Sequence, residues 1–242
     1  MERNTRINAI AFSMNRAAQL DALLMSVELR ASWISPVTVL FRFSTETFWQ
    51  GYARLADLHD AIFTQQLPLR QILLRAIDPK APLTMMLTDD DIFYRDLPVV
   101  ESLPSGATYS PRLGKNCTYC YPLDKQQKEG ELDFLYSLSI DGHIFRTEEI
   151  LARIEAIDFD TPNQLEDRLS RGEPFRIFYE EHSCLVNVPH NRVAEYANRH
   201  EGGSPEELNC RFLAGERIDV DAMDFSRVVG AHQAIPYHWR KA

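Results

Sequence analysis

Two hydrophobic periods alternate along the first half of the chain. Ile7-Asn8-Ala9-Ile10-Ala11-Phe12 is a short apolar run of the kind that makes a buried strand. The polar stretch Ser13-Met14-Asn15-Arg16 follows it. Leu20, Leu23, Leu24 and Val27 then recur at helical spacing, with Ser13 or Asn15 as candidate N-caps. The cycle repeats: Pro36–Phe43 reads as a strand, Phe48, Tyr52, Leu55 and Leu58 as a helix, Ala61-Ile62-Phe63 as a strand, and Leu69, Leu73 and Ile77 as a helix ending before Pro79. Leu83-Thr84-Met85-Met86-Leu87-Thr88 is the most continuous apolar run and predicts a strand buried on both faces. Strand–helix alternation of this kind predicts a parallel sheet covered by helices.

Past residue 106 the pattern is mixed. Tyr109–Gly114 and Phe134–Leu138 read as strands, as do Phe175–Tyr179 and Ser183–Val188, and Val228–His232 returns to strand character. Ile150, Leu151, Ile154 and Ile157 mark a helix opened by Thr147 and Glu148, and Pro162–Leu169 is a shorter one. Ser204-Pro205-Glu206-Glu207 carries helix-start chemistry, a Ser cap followed by Pro at the first helical position. The expectation is a single α/β domain over residues 1–242. Its mostly parallel central sheet lies between helices, with a nucleotide-type half over about 1–106 and a mixed acceptor half over about 107–242.

The strand over 83–88 runs straight into Asp89-Asp90-Asp91. The carboxyl ends of parallel strands are where open α/β sheets place their ligands. Three adjacent carboxylates repel one another unless a cation neutralises them, and Mg²⁺ or Mn²⁺ suits hard oxygen donors and bound phosphates. Strand alternation would turn Asp89 and Asp91 to one side and Asp90 back into the fold. Arg16 and Arg42 end the first two strands, and either guanidinium can pair with a phosphate. Ser13, Asn15 and Ser44 are candidates to hydrogen-bond a base or ribose, and Phe12 to stack on the base.

Composition narrows the class. The 242 residues are 45% hydrophobic and 25% charged, ordinary globular values, and the formal net charge is −9. That balance argues against nucleic acid as a partner. No run approaches the roughly 20 apolar residues of a membrane span. The opening Met1-Glu2-Arg3-Asn4-Thr5-Arg6 lacks the apolar core of a secretory signal, so the expected compartment is the cytoplasm, including the inner face of a membrane as a peripheral protein. Cys117 and Cys120 form a C-x-x-C pair with no second pair at zinc spacing; with Cys184 and Cys210 they read as reduced structural thiols.

Four segments together resemble a GT-A-type glycosyltransferase, the nucleotide-diphospho-sugar transferase fold. Ala11–Arg16 with Gln19–Leu24 behind it resembles the family's first strand, nucleotide loop and helix. Leu87–Phe93 resembles its DxD-bearing strand end. Asn163-Gln164-Leu165-Glu166 lies where members place a catalytic acid, and Ala231-His232-Gln233 resembles a late metal-binding histidine. The likeness is strongest over 7–95 and 107–170.

The resemblance implies a transferase that moves a sugar from a nucleoside diphosphate donor to a hydroxyl acceptor, a growing glycan, with a divalent ion bridging the two phosphates. It makes Asp91 the direct metal ligand and Asp89 the partner of ribose or a metal-bound water, two roles that exchange with the local backbone, with Asp90 on the nucleotide side and His232 a third ligand that favours Mn²⁺ over Mg²⁺. His190 and His238 are rival histidines. An inverting enzyme needs a base for the acceptor hydroxyl; Glu166 is the first choice, with Asp167 beside it and Asp141, in Ser139-Ile140-Asp141-Gly142-His143, as the rival. Asp141-Gly142 is also a strong turn signal in its own right. His143, Arg112, Lys115 and Tyr119 fall on the acceptor side, and Trp33, Trp49 and Trp239 are candidates for a sugar-stacking face. Two other readings compete. A sugar-phosphate nucleotidyltransferase would normally carry a glycine-rich loop after its first strand, and Ser13–Arg16 holds no glycine. A non-catalytic protein of the same fold would bind the nucleotide-sugar, or use its acids structurally.

Overall fold

A computed structural model of the chain describes residues 7–66, 68–191, 200 and 203–241. The first half alternates strand and helix: β1 (Ile7–Met14), α1 (Ala17–Arg30), β2 (Thr38–Arg42), α2 (Glu46–Leu58), β3 (Ile62–Gln65), α3 (Leu69–Ala76) and β4 (Leu83–Thr88). Next come a short strand β5 (Asp91–Phe93), then β6 (Ala107–Gly114) and the hairpin β7 (Tyr119–Cys120) and β8 (Lys125–Gln126). The rest comprises β9 (Ile144–Arg146), α4 (Thr147–Glu155), α5 (Pro162–Ser170), β10 (Arg176–Glu180), β11 (Leu185–Asn187), α6 (Pro205–Leu213), β12 (Glu216–Ile218) and β13 (Trp239–Lys241).

Seven strands form one sheet in the order β10-β6-β9-β4-β1-β2-β3. β4, β1, β2 and β3 are mutually parallel, and β6 and β10 are parallel to each other. β9 lies antiparallel between β4 and β6 and joins the two parallel groups.

Side-chain alternation gives the sheet two apolar faces. Ala9, Ala11, Val39, Phe41, Met85 and Leu87 face a core completed by α1. Ile10, Phe12, Leu40, Met86 and Phe145 face another, completed by α3, α4 and α5. α1 is buried along Ala17–Val27, because α2, α6 and β12 cover its outer side. That explains why its weak amphipathic signal nonetheless makes a helix: both of its sides are interior.

Most predicted elements form, and four details differ. Neither Ser13 nor Asn15 caps α1; Arg16 occupies the N-cap with no capping hydrogen bond from its side chain, while Asn15 sits at φ 57° and bonds Ser44. Phe134–Leu138 is not a strand: Leu132–Leu135 makes one 3-10 turn. Val228–His232 forms no strand either, only an isolated bridge between His232 and Asn187. β9 was hidden because its three residues follow a tight turn, too few for period-2 alternation to show. By contrast, the cap predicted from Ser204/Pro205 chemistry is in place, and Thr161 before Pro162 caps α5 in the same way: each hydroxyl accepts from the backbone N–H three residues on.

Candidate functional site

The carboxyl ends of β1, β2 and β4 open onto a cleft of about 790 Å³, closed on the other side by the turn after Ser139, the start of α5 and the residues after β11. Phe12, Ser13, Arg16 and Arg42 line it from the first half, with Asp89 and Asp90. Asp141, Glu166 and His232 line it from the second. Nine of the residues marked by sequence therefore meet across one cleft. Asn15 and Ser44 do not line it; they bond each other at its rim, Asn15 Nδ2 donating to Ser44 Oγ and Ser44 N to Asn15 Oδ1, both at 2.9 Å.

The acid run is placed differently from the strand-alternation expectation. β4 ends at Thr88, Asp89-Asp90 make a turn, and β5 starts at Asp91. The turn breaks the alternation. Asp90 faces the cleft, while Asp91 is fully buried and pairs across the ribbon with Asn187 of β11. Thr88 N donates to Asp91 Oδ2 at 2.9 Å, and Asn187 Nδ2 donates to Asp91 Oδ1 at 3.2 Å and to Asp90 Oδ1 at 2.8 Å. Burial, then the charges of Asp141 and Asp90, push the Asp91 carboxyl well above the usual range. Asp91 is thus part of the frame under the turn rather than a group presented to the cleft.

Arg16 is also committed internally. Its Nη1 donates to Asp89 Oδ1 at 3.0 Å and Asp90 Oδ2 at 2.8 Å; its Nε donates to Asn191 Oδ1 at 2.8 Å and its Nη2 to the Asn191 carbonyl. A guanidinium so fully engaged is a clamp between the acid turn and the segment after β11, not an open phosphate hook. Burial outweighs this partner and pushes the Asp89 carboxyl up to about 6.

On the far wall, Asp141 receives Arg112 Nη1 at 3.0 Å and Thr88 Oγ1 at 3.1 Å, and His232 Nε2 lies 3.3 Å from its Oδ2. Burial would raise its pKa, but the His232 hydrogen bond and the Arg112 charge hold the carboxyl well below the usual range. Gly142 makes this turn, at φ +83°, with its α-carbon packed on Leu185 where a Cβ would collide. Glu166, on α5, accepts Ser139 Oγ at 2.9 Å and Ile140 N at 3.0 Å, both on Oε1. Burial, then the Asp141 charge, push Glu166 up to about 7. Two carboxyl groups in one cleft are driven apart in proton affinity.

The remaining candidates lie elsewhere. His143 is fully buried, its Nδ1 3.3 Å from the Ser137 carbonyl, and burial drops its pKa to about 3. Asp167 pairs with Arg171 on the surface at 2.7 Å. His190 stacks on Tyr237, and His238 precedes β13, away from the cleft. Arg112 lies behind the cleft wall; Lys115 pairs with Glu181 and Tyr119 with Asp124 outside it. None of the tryptophans lines the cleft: Trp33 donates to the Leu97 carbonyl, Trp49 stacks on Phe41 and Phe43, and Trp239 lies under Arg211. The four cysteines are unpaired thiols, three of them buried.

Sequence reading missed Asn187, Asn191 and Gln66, and it placed Arg112 on the acceptor side, where the structure instead sets it behind the cleft wall against Asp141. A signal existed for Asn187: it is a polar residue at the end of an apolar, fully buried strand, which demands a partner. Asn191 and Gln66 lie in loops whose paths only the fold sets.

Among the described residues, no group of three or more His, Cys, Asp or Glu side chains is arranged to hold a metal ion by itself. The donors fit a different kind of site, in which one or two protein groups share an ion with phosphates and water. His232 Nδ1 is buried with no hydrogen-bond partner, and in the tautomer that donates its Nε2 proton to Asp141 it carries a lone pair. Asp90 lines the same cleft with a hard carboxylate, and Asn187 connects the two segments by bonding Asp90 and bridging to His232. Among the described residues, no helix is long and apolar enough to cross a membrane. No family model matches the sequence, and no curated protein matches it either.

Proposed function

We propose that the chain is a metal-dependent glycosyltransferase that moves a sugar from a nucleoside diphosphate donor to a hydroxyl acceptor in glycan synthesis. The observation that carries this reading is the meeting, across one cleft, of an acid turn at the end of β4 and a pair of carboxyl groups with opposed proton affinities. The parallel strand ends supply the place for a nucleotide. Asp90 and His232 are the groups that would hold the ion, which would stabilise the leaving diphosphate as a Lewis acid. Asp91, Thr88 and Asn187 fix Asp90 in position, and Arg16 keeps the Asp89–Asp90 turn from splaying under its own charge.

Glu166 serves as the base for the acceptor hydroxyl, as an inverting transfer requires. Ser139 and Ile140 occupy Oε1, so Oε2 is left to face the cleft and take the proton. A carboxyl group with its pKa near 7 is ionised often enough at neutral pH to accept a proton, and basic enough to pull it from an alcohol. Asp141 stays ionised throughout and holds the His232 tautomer.

The direct test is turnover of nucleoside diphosphate sugars with and without Mn²⁺, read as release of free nucleoside diphosphate. Metal-dependent release that disappears in Glu166→Gln supports the reading. A protein that binds no nucleoside diphosphate at millimolar concentration ends it.

A further inference from the structure

We infer that the chain pairs with a second copy of itself through β10, joining two seven-stranded sheets edge to edge about a twofold axis at Phe178. β10 is an outer strand of the sheet, hydrogen-bonded to β6 alone among the described strands. Arg176 N donates to the Gly106 carbonyl at 2.8 Å, so its main-chain groups turn towards β6. Alternation turns those of Ile177 and Tyr179 outward, where none is bonded among the described residues. Ser137 Oγ accepts Phe175 N at 3.0 Å, so the open stretch begins after Phe175. The register irregularity lies in β6, where Tyr109–Gly114 spans the step that β10 makes from Phe178 to Glu180. An outer strand with unpaired N–H and C=O groups is a template for a further strand.

The side chains of β10 also alternate. Ile177 and Tyr179 pack on Leu113, Cys117 and Phe134. Arg176, Phe178 and Glu180 are exposed on the opposite face. Arg176 lies over the Phe178 ring at 4.6 Å, and neither Arg176 nor Glu180 forms an ion pair among the described residues. Two antiparallel copies of this strand, centred on Phe178, match at every position. Ile177 faces the partner's Tyr179 and Tyr179 the partner's Ile177, and each such pair exchanges two main-chain hydrogen bonds. Phe178 meets the partner's Phe178 where opposed side chains approach most closely. Arg176 meets the partner's Glu180 at both ends, and opposite charges directly across a strand pair stabilise it.

The charges favour a second copy over an unrelated strand. Charges that only blunt an edge repel a second copy; these attract one, because one of each sign stands two residues to either side of Phe178. A slip by two residues would set Arg176 against Phe178, and parallel pairing would set like charges together, so the antiparallel register is specified. The sheet's other edge, β3, reads Ile62-Phe63-Thr64-Gln65 and has no charge with which to select a register. Leu135, 68% exposed and next to the Phe134 that packs edge-on against Tyr179, adds apolar surface beside β10. A strand pair of this length buries less than the roughly 1,200 Å² of a standard interface, so the dimer is a weak one.

Analytical ultracentrifugation of the full chain from about 1 to 500 µM, the range in which a small interface associates, tests this. The wild type is expected to pass from monomer to dimer, and the Ile177 and Tyr179 amides should exchange their hydrogens more slowly at the high end. Arg176→Glu and Glu180→Arg each set like charges against one another at both ends of the pair, and each should weaken the dimer by about tenfold. The double variant Arg176→Glu/Glu180→Arg opposes unlike charges again and should recover it. All of these changes are at exposed positions, with circular dichroism reporting on folding. A wild type that stays monomeric throughout overturns the inference. So does a dimer without concentration-dependent protection of the two amides, one that ignores both single reversals, or one that the double reversal fails to recover. Each of these results leaves the glycosyltransferase reading standing, since no β10 residue lines the cleft.

Discussion

Asp90 and Asp91 are neighbours in the chain with different tasks. Asp90 reaches the cleft, and Asp91 is spent on Thr88 and Asn187. Asp90→Asn should raise the Mn²⁺ concentration for half-maximal turnover by at least about tenfold, the scale on which metal sites respond even to loss of a supporting group. Asp91→Asn, which reaches Asp90 only through the shared Asn187 amide, should raise it by less than Asp90→Asn does, and a metal titration of the two variants decides between them. Glu166 gives a second prediction. Its carboxyl must be ionised to accept a proton, so the transfer rate should rise with pH through about 7 and level off above it. Glu166→Gln should cost roughly 10²- to 10⁴-fold in rate with nucleotide affinity retained. Asp141→Asn removes the neighbouring charge that raises Glu166, and the limb should move to lower pH. A limb that stays put in that variant would separate Glu166 from the base role.

At the scale of elements, α1 is tied to the C-terminal half by charge as well as by packing. Asp21, fully buried on α1, accepts Arg217 Nε at 2.8 Å and Nη2 at 2.6 Å from β12, and lies 2.8 Å from His59 Nε2 at the end of α2. His59 Nδ1 lies 2.8 Å from Glu28 on α1. Burial lowers the His59 pKa, but its bonds to Asp21 and Glu28 outweigh that and raise it above the ordinary value. A raised histidine stabilises the fold fully below its unfolded pKa of about 6.5, and that stabilisation is lost as pH rises through the folded value. Denaturant titrations across this range should therefore show stability falling on the alkaline side, and His59→Gln should flatten the fall. Asp21→Ala should cost about 3 kcal/mol, since it strands a buried imidazole and a partly buried guanidinium. An unchanged pH slope in His59→Gln would place the titration elsewhere. The same scale explains which elements were legible. β1, α1, β2, α2, β3, α3 and β4 follow from local pattern, because continuous apolar runs mark the strands buried on both faces and helical spacing marks the helices. β9 and β5 are three residues each; β9 exists because the longer β4 and β6 flank it, and β5 because the equally short β11 pairs with it.

For the whole molecule, the nucleotide reading predicts a linked stabilisation. A nucleoside diphosphate with Mn²⁺ at a hundredfold its dissociation constant should add about 2.7 kcal/mol, a rise of roughly 5–10 °C in Tm for a chain of this length. A thermal-shift series that is flat for every base with Mn²⁺ would count against the proposal as a whole. The order of strand and helix, the acid run at a buried strand's end and the helix caps at Thr161 and Ser204 were set by local pattern, since propensity and burial period act within a few residues. Nine candidate side chains could be named for the cleft for the same reason: chemistry-bearing residues at strand and helix ends face where those ends open. The tertiary structure decided the rest. Whether Asp90 or Asp91 faces the ligand depended on a turn that β11 imposes by pairing with β5. Arg16 looked available until the fold brought Asn191 across to engage it, and Gln66 acquired a fixed orientation only from the carbonyl of a neighbouring strand. Each of these turns on a partner distant in sequence, and hydrogen bonds between distant segments leave no period in the chain that makes them.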